Sequence, residues 1–176
     1  MVAIPRPSPA ETRANETFDA LLWCMSRPGL TRRLPKAGES PIIEALLDRE
    51  CRVHSAVPGL MSEIMRTGAA ISEIEDADHV FLGTLGAPDV LKQVQTGNDL
   101  YPDHGATVIA RAAFGQGQRL RMSGPGVEGT VEVSISGLPD GFWQNRSALI
   151  RYPIGFDVFL IDHEMLIGVP RHWLNE

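Results

Sequence analysis

The side chains best placed for chemistry sit on turns rich in glycine and proline: Ser26-Arg27-Pro28-Gly29, Ser123-Gly124-Pro125-Gly126, Tyr152-Pro153-Ile154-Gly155-Phe156-Asp157 and Pro170-Arg171. Arg27 and Arg171 are candidate anion anchors, because a guanidinium forks a phosphate in a planar, bidentate way. Ser123, Gly124 and Gly126 could join them, since a glycine-rich loop can present backbone N–H groups to an anion. Asp157 interrupts an apolar run, so its carboxylate must be paired or lie at a functional edge. Asp48 marks the exit of a helical segment and is a candidate polar residue of the same kind. Each has a structural alternative: arginine capping carbonyls, aspartate bonding a neighbouring loop.

Patterns for self-sufficient catalysis match in letters but not in context. Residues 124–129 spell the dinucleotide fingerprint GxGxxG, whose glycines open a helix beneath a pyrophosphate. The residues that follow, TVEVSIS, alternate as a strand does, so a hairpin loop is the reading here. His163-Glu164 begins as HExxH does, but Ile167 takes the second ligand position. His54, His79, His104 and His172 show no ligand spacing, and no metal site is expected. Asp103-His104, between Pro102 and Gly105, reads as a solvated turn. There is no GK[ST] phosphate loop and no G-x-S-x-G elbow. Pyridoxal phosphate chemistry needs a lysine, and the two present, Lys36 and Lys92, read as surface residues.

The elements that must hold these turns follow from periodicity. Residues 1–9 contain three prolines and read as an extended arm, leaving 10–176 as one domain. From Ala10, the spacing of Ala14, Phe18, Leu21, Leu22 and Met25 predicts a helix with one apolar stripe, ended by the 26–29 turn. Ser40-Pro41 starts a second helix, with Ile42, Ile43, Leu46 and Leu47 inward. Helices are also predicted over 58–66 (Leu60, Met61, Ile64 and Met65 inward), 87–95 and 138–150. Residues 51–56, 79–83 and 107–110 read as strands, the last two apolar enough to be covered on both faces. Strict alternation over 118–122 and 131–135 predicts a hairpin with one wet face. Residues 156–161 form the strongest strand, paired through a tight turn at 162–164 with 165–169. Helices interleaved with buried strands predict an α/β domain, and the hairpins make its sheet mixed.

Composition narrows the function classes. A chain of 176 residues, 43% hydrophobic and 22% charged, suits one globular domain. Its formal net charge of -6 argues against non-specific nucleic-acid binding, which runs on Lys and Arg neutralising phosphates. No run approaches the ~20 apolar residues that span a membrane. The proline-rich N-terminus lacks the apolar core of a signal peptide, so a cytoplasmic location is expected. Cys24 and Cys51 are the only cysteines and suggest no disulfide framework.

Taken in order, several short motifs resemble one family. They are WCMSRPG after the first helix, LLD at 46–48, ADHVFLGT at 77–84, PDHGAT at 102–107, the LRMSGPGV hairpin, YPIGFDVFLID and the final GVPR. Together they resemble the PhnH family of the carbon–phosphorus lyase core complex, from the first helix to Arg171. Tyr152, Val127 and His172-Trp173 depart from the family's Phe, Ile and threonines. The resemblance implies a three-layer α/β/α fold like the core of pyridoxal phosphate-dependent transferases, without that cofactor. It implies a homodimer that joins subunits G, I and J, with ATP and a phosphonate as substrates of the complex. The reaction implied forms α-D-ribose 1-methylphosphonate 5-triphosphate from ATP and methylphosphonate and releases adenine. This chain would be an accessory subunit without a complete active site, and no catalytic residue carries over. The alternative is an autonomous enzyme or binding protein for a phosphorylated metabolite, using Arg27, Arg171 and the 123–126 loop.

Overall fold

Ser8 starts the first helix. Its hydroxyl accepts the Glu11 N–H while the Glu11 carboxylate accepts the Ser8 N–H, and Pro9 fits the first helical position. The computed structural model describes residues 6–125, 127 and 129–175. The chain runs α1 (Pro9–Ser26), β1 (Thr31–Arg33), α2 (Ser40–Leu46), β2 (Arg52–Ser55), α3 (Met61–Thr67), β3 (Ala70–Ile71) and β4 (His79–Gly83). It continues with β5 (Thr107–Arg111), β6 (Ala113–Ser123), β7 (Thr130–Ser136), α4 (Phe142–Leu149), β8 (Asp157–Asp162), β9 (Met165–Val169) and β10 (Leu174–Asn175). The helix therefore begins one residue before the expected Ala10, and the arm expected over 1–9 lies largely outside the described residues.

Seven strands make a mixed sheet in the order β1-β9-β8-β5-β4-β2-β3. The run from β8 to β3 is parallel, while β9 is antiparallel to β8 and β1 to β9. The α/β class and the mixed sheet are as the interleaved periodicities predict. The alternating hairpin, β6 and β7, does not join this sheet; with β10 it forms a second, antiparallel one.

Alternation along the central strands divides the core in two. Val80, Val108, Val158 and Leu160 pack on one side against Leu120, Met122 and Ile135 of the small sheet and Phe142 and Trp143 of α4. Phe81, Ile109 and Phe159 pack on the other against Leu21 and Cys24 of α1, Ile42 and Ile43 of α2, and Ile64 of α3. Helix α1 lies so close to β9 that a Cβ at Gly168 would sit 2.8 Å from the Cys24 carbonyl carbon. That contact fixes which side of α1 is inward: Thr17, Ala20, Leu21 and Cys24 are buried. Leu22, two positions from Cys24, falls on the far side of the helix. Phe18 and Leu22 are thus 47% and 56% exposed, and the expected single buried stripe is corrected.

Other expected elements change in extent. The 87–95 helix is only a 3₁₀ segment, Pro88–Gln93, with Leu91 and Val94 buried and Lys92 paired to Asp89 at the surface. The 138–150 helix starts at Phe142, because Gly141 turns the chain with φ +81. Residues 58–66 divide into a 3₁₀ turn and α3, where Ile64 is buried and Met65 points out. Ser40 opens α2 without capping it; its hydroxyl donates to the Glu63 carboxylate. No helix among the described residues is long and apolar enough to cross a membrane.

Candidate functional site

Two of the turns singled out in the sequence, 152–157 and 170–171, meet at the amino ends of the parallel strands. Val53, His79, Thr107 and Asp157 stand in register across β2, β4, β5 and β8, so their side chains share one side of the sheet. β9 returns antiparallel and ends beside Asp157, which delivers Pro170-Arg171 to the same edge. Asp157 and Arg171 form a two-pronged tie: Arg171 Nη2 donates to Asp157 Oδ2 at 2.7 Å, and the Arg171 backbone N–H donates to Oδ1 at 2.8 Å. Arg171 Nε also donates to Oδ2, Nη1 to the Pro102 carbonyl and Nη2 to the Gly105 carbonyl. Four of the five guanidinium donors therefore have internal acceptors. Gly105 is required at this crossing. A Cβ there would collide with the Gly155 carbonyl oxygen and lie 2.7 Å from Arg171 Nη1.

His79 and its neighbours line the same edge. Its Nδ1 is buried with no hydrogen-bond partner among the described residues. Burial lowers the His79 pKa, opposed by the charges of Asp78 and Asp48. Burial alone would raise the Asp78 carboxyl, but the hydrogen bonds and charge of Arg52 together outweigh it and lower its pKa. Arg52 Nη2 donates to Asp78 Oδ1, and the Arg52 backbone N–H to Oδ2, both at 2.8 Å. Asp48 accepts the Glu50 N–H at 2.8 Å and the Cys51 thiol at 3.4 Å, holding the turn between α2 and β2. The Glu50 hydrogen bond, first among its causes, keeps that carboxyl low.

The 123–126 loop is held from the C-terminal side. Trp173 Nε1 donates to the Pro125 carbonyl at 3.2 Å, and Leu174 stands opposite Ser123 in the β10–β6 ladder. Gly124 lies under the Trp173 ring, while Gly126 lies outside the described residues. Behind Trp173 stands Arg146, 1% exposed, donating to the carbonyls of Pro170 at 2.7 Å and Trp173 at 3.0 Å. Burial pulls the Arg146 pKa down to about 10, against the opposing charge of Asp157. Sequence reasoning missed Arg146. Its signal was spacing, because it falls three and four positions after Trp143 and Phe142 on the buried side of α4.

Arg27 is placed apart from Arg171. Its guanidinium lies 5.2 Å from the centre of the Trp23 ring, which Arg32 also approaches at 5.1 Å. The turn that carries it does touch the hairpin, since a Cβ at Gly29 would meet Val131 Cγ1 at 3.0 Å and Met122 Sδ at 3.4 Å. The anion-site candidates thus fall into two groups, Arg27 on a turn beside the loop end of the hairpin and Arg171 inside the amino-end ties.

Open α/β sheets bind ligands beyond the carboxyl ends of their strands. That end of β5 and β8 carries a cleft of about 390 Å³ that includes Glu39, Arg111, Asp162 and His163. The Glu39 carboxylate, 4% exposed, accepts from Arg111 Nε at 2.7 Å and Nη2 at 3.0 Å. Asp162 accepts the Phe114 N–H. Nothing in the sequence pointed to the Glu39–Arg111 pair, whose members lie 72 positions apart. Among the described residues, no group of three or more His, Cys, Asp or Glu could hold a metal ion.

Comparison with known proteins adds identity to this geometry. The model of the bacterial phosphonate metabolism protein family (PhnH) matches residues 8–173. The chain is 28% identical over 165 residues to the putative C-P lyase subunit protein HtxG of Stutzerimonas stutzeri, covering 90% of this chain and 84% of that one. It is 27% identical over 179 residues to the alpha-D-ribose 1-methylphosphonate 5-triphosphate synthase subunit PhnH of Rhizobium meliloti (strain 1021), covering 90% and 88%.

Proposed function

Because the chain belongs to the bacterial phosphonate metabolism protein family (PhnH), we propose that it serves as a subunit of a carbon–phosphorus lyase system in phosphonate catabolism. In that role it acts with sister subunits G, I and J as a cytoplasmic homodimer. It is required for joining methylphosphonate to the ribose of ATP with release of adenine, and it shapes the assembly rather than holding a complete active site. Its fold, on this reading, is a cofactor-free relative of the pyridoxal phosphate-dependent transferase core. The surface placement of Lys36 and Lys92 supports the loss of that chemistry.

The observation that carries the reading is an exposed apolar patch on rigid loops. Leu100 is 83% exposed, Tyr152 78% and Tyr101 54%. Apolar side chains this open mark contact surfaces when they cluster. Their loops are tied down: Gly155 N–H donates to the Thr96 carbonyl, Arg151 pairs with Asp99, and Arg171 grips Pro102 and Gly105. These ties reduce the ordering left for a partner to impose, which lowers the entropic cost of docking. The polar groups around it serve internal ties.

Co-expression with the sister subunits tests this. The wild-type chain is expected to co-purify with them, and a Leu100→Asp/Tyr152→Asp variant is expected to fold and be lost from the complex. A wild-type chain that never co-purifies, but binds ATP or an alkylphosphonate tightly by itself, would overturn the reading in favour of an autonomous protein.

A further inference from the structure

The parallel strands β5 and β8 end on Arg111 and Asp162, and the chain turns back from Asp162 through His163. Between these ends and Gly38-Glu39 lies the cleft of about 390 Å³, within the size range of small-ligand sites. Backbone holds its walls. The Gly38 N–H donates to the His163 carbonyl and the Ala112 N–H to the Ile161 carbonyl, both at 2.9 Å.

Two polar groups in the cleft are oriented by the fold and keep bonding capacity in reserve. The buried Glu39 carboxylate accepts Arg111 Nε and Nη2, which fixes the plane of the guanidinium. Nη1, with two N–H donors, has no acceptor among the described residues, and the side chain is 48% exposed. Asp162 uses Oδ2 for the Phe114 N–H. Its Oδ1 stands 3.9 Å from His163 Nε2, beyond hydrogen-bond reach, and has no donor among the described residues. The His163 ring is 87% exposed at the mouth.

The charges select the ligand. Glu39 already neutralises Arg111, so the guanidinium offers donors without surplus positive charge. Asp162 then leaves the cleft with a net negative charge, which repels a phosphate group. A simple amine would satisfy Asp162 but leave Arg111 Nη1 facing it. A ligand that fits brings an N–H to Asp162 and an uncharged acceptor to Arg111. The edge of a nucleobase carries that pair, and its flat face suits an exposed ring.

We propose that this cleft binds an uncharged nucleobase or a heterocycle of the same kind, its N–H donating to Asp162 Oδ1, its neighbouring acceptor taking Arg111 Nη1, and His163 stacking on the ring. The inference goes beyond the subunit reading and stands apart from it: co-purification tests the one, and base binding the other.

Titration of the ¹⁵N-labelled full-length chain with adenosine, followed by amide shifts, tests it. Saturable shifts are expected at Gly38, Ala112 and His163, with a dissociation constant on the order of 0.1–1 mM. N6,N6-dimethyladenosine, which lacks the N–H, should bind about tenfold more weakly. Asp162→Asn keeps an oxygen for the Phe114 N–H but turns the other atom into a donor, and should weaken adenosine to a similar degree. His163→Gly removes the ring at a position with φ +52, where glycine is at ease, so it folds and should lose affinity several-fold. If Asp162→Asn does not fold, the dimethyl analogue and His163→Gly still decide. The proposal is overturned if adenosine moves none of these amides, if the dimethyl analogue binds as well as adenosine, or if tripolyphosphate alone moves the same amides and competes with adenosine there.

Discussion

Arg171 Nη2 lies 2.7 Å from Asp157 Oδ2, and the remaining oxygen of that carboxylate accepts the Arg171 backbone N–H. The pair is about four-fifths buried on both sides, with side-chain exposures of 18% and 20%. Removing one member of such a pair strands the other. Arg171→Ala is expected to lower unfolding stability by about 2–3 kcal/mol, read as a shift in the urea midpoint. Arg171→Lys should recover little of it, because an ammonium cannot reach Asp157, Pro102 and Gly105 from one planar fork. A lysine variant as stable as wild type would show that charge alone holds this edge.

Gly105 gives a second test of the same edge. Its missing side chain lets the Gly155 carbonyl and Arg171 Nη1 approach together. Gly105→Ala forces backbone apart rather than a flexible side chain, so its cost should reach about 3 kcal/mol. Thermal unfolding would register it. Gly59→Ala, where an added Cβ meets nothing within 4 Å, is the matched control and should be near neutral.

Two groups at the amino ends make stability fall with acid, in separate windows. Burial lowers the folded pKa of His79 below its ordinary 6.5. As pH drops through 6.5 the unfolded chain takes up the proton first, so stability is lost from there down to the folded value. Asp78 is also lowered, from 3.8, so its contribution is complete above 3.8 and is lost as pH falls toward its folded value. His79→Gln should flatten the stability profile between pH 7 and the Asp window. Asp78→Asn should flatten it below about 4 and, by removing a charge that opposes the burial of His79, steepen it above. Denaturation midpoints taken across pH would separate them. Parallel profiles for wild type and His79→Gln would remove the histidine from this account.

Much of this edge could be read from the chain because local rules govern it. Gly-Pro turns end helices and strands wherever they stand, and an aspartate opening an apolar strand must find a partner; Asp157 finds Arg171. What could not be read was set by contacts distant in sequence. Which face of α1 is inward depends on β9, more than a hundred residues away, so Phe18 and Leu22 were assigned to the core on periodicity alone. The Glu39–Arg111 pair depends on α2 and β5 meeting beyond the sheet. The 118–135 hairpin was legible as a hairpin, but its separation into a second sheet depends on β10 and the core beneath it.

Arg146 joins these parts and carries the last prediction. It is a cation with 1% exposure whose donors serve the Pro170 and Trp173 carbonyls, so it fastens the chain that leads from β9 to β10. Trp173 in turn fastens the 123–126 loop through Pro125. Arg146→Met fills similar space without the charge and takes one donor from each of two carbonyls, Pro170 keeping only the Trp173 N–H, a loss of about 2 kcal/mol. Beyond that loss, Trp173 should become open to acrylamide quenching, measured as the difference from a Trp173→Phe variant, and the C-terminal segment should be cut faster by carboxypeptidase. Both changes should occur well below the unfolding midpoint, since only the fastening is released. Equal destabilisation with Trp173 still protected would mean that Arg146 supports α4 alone and does not hold the hairpin loop.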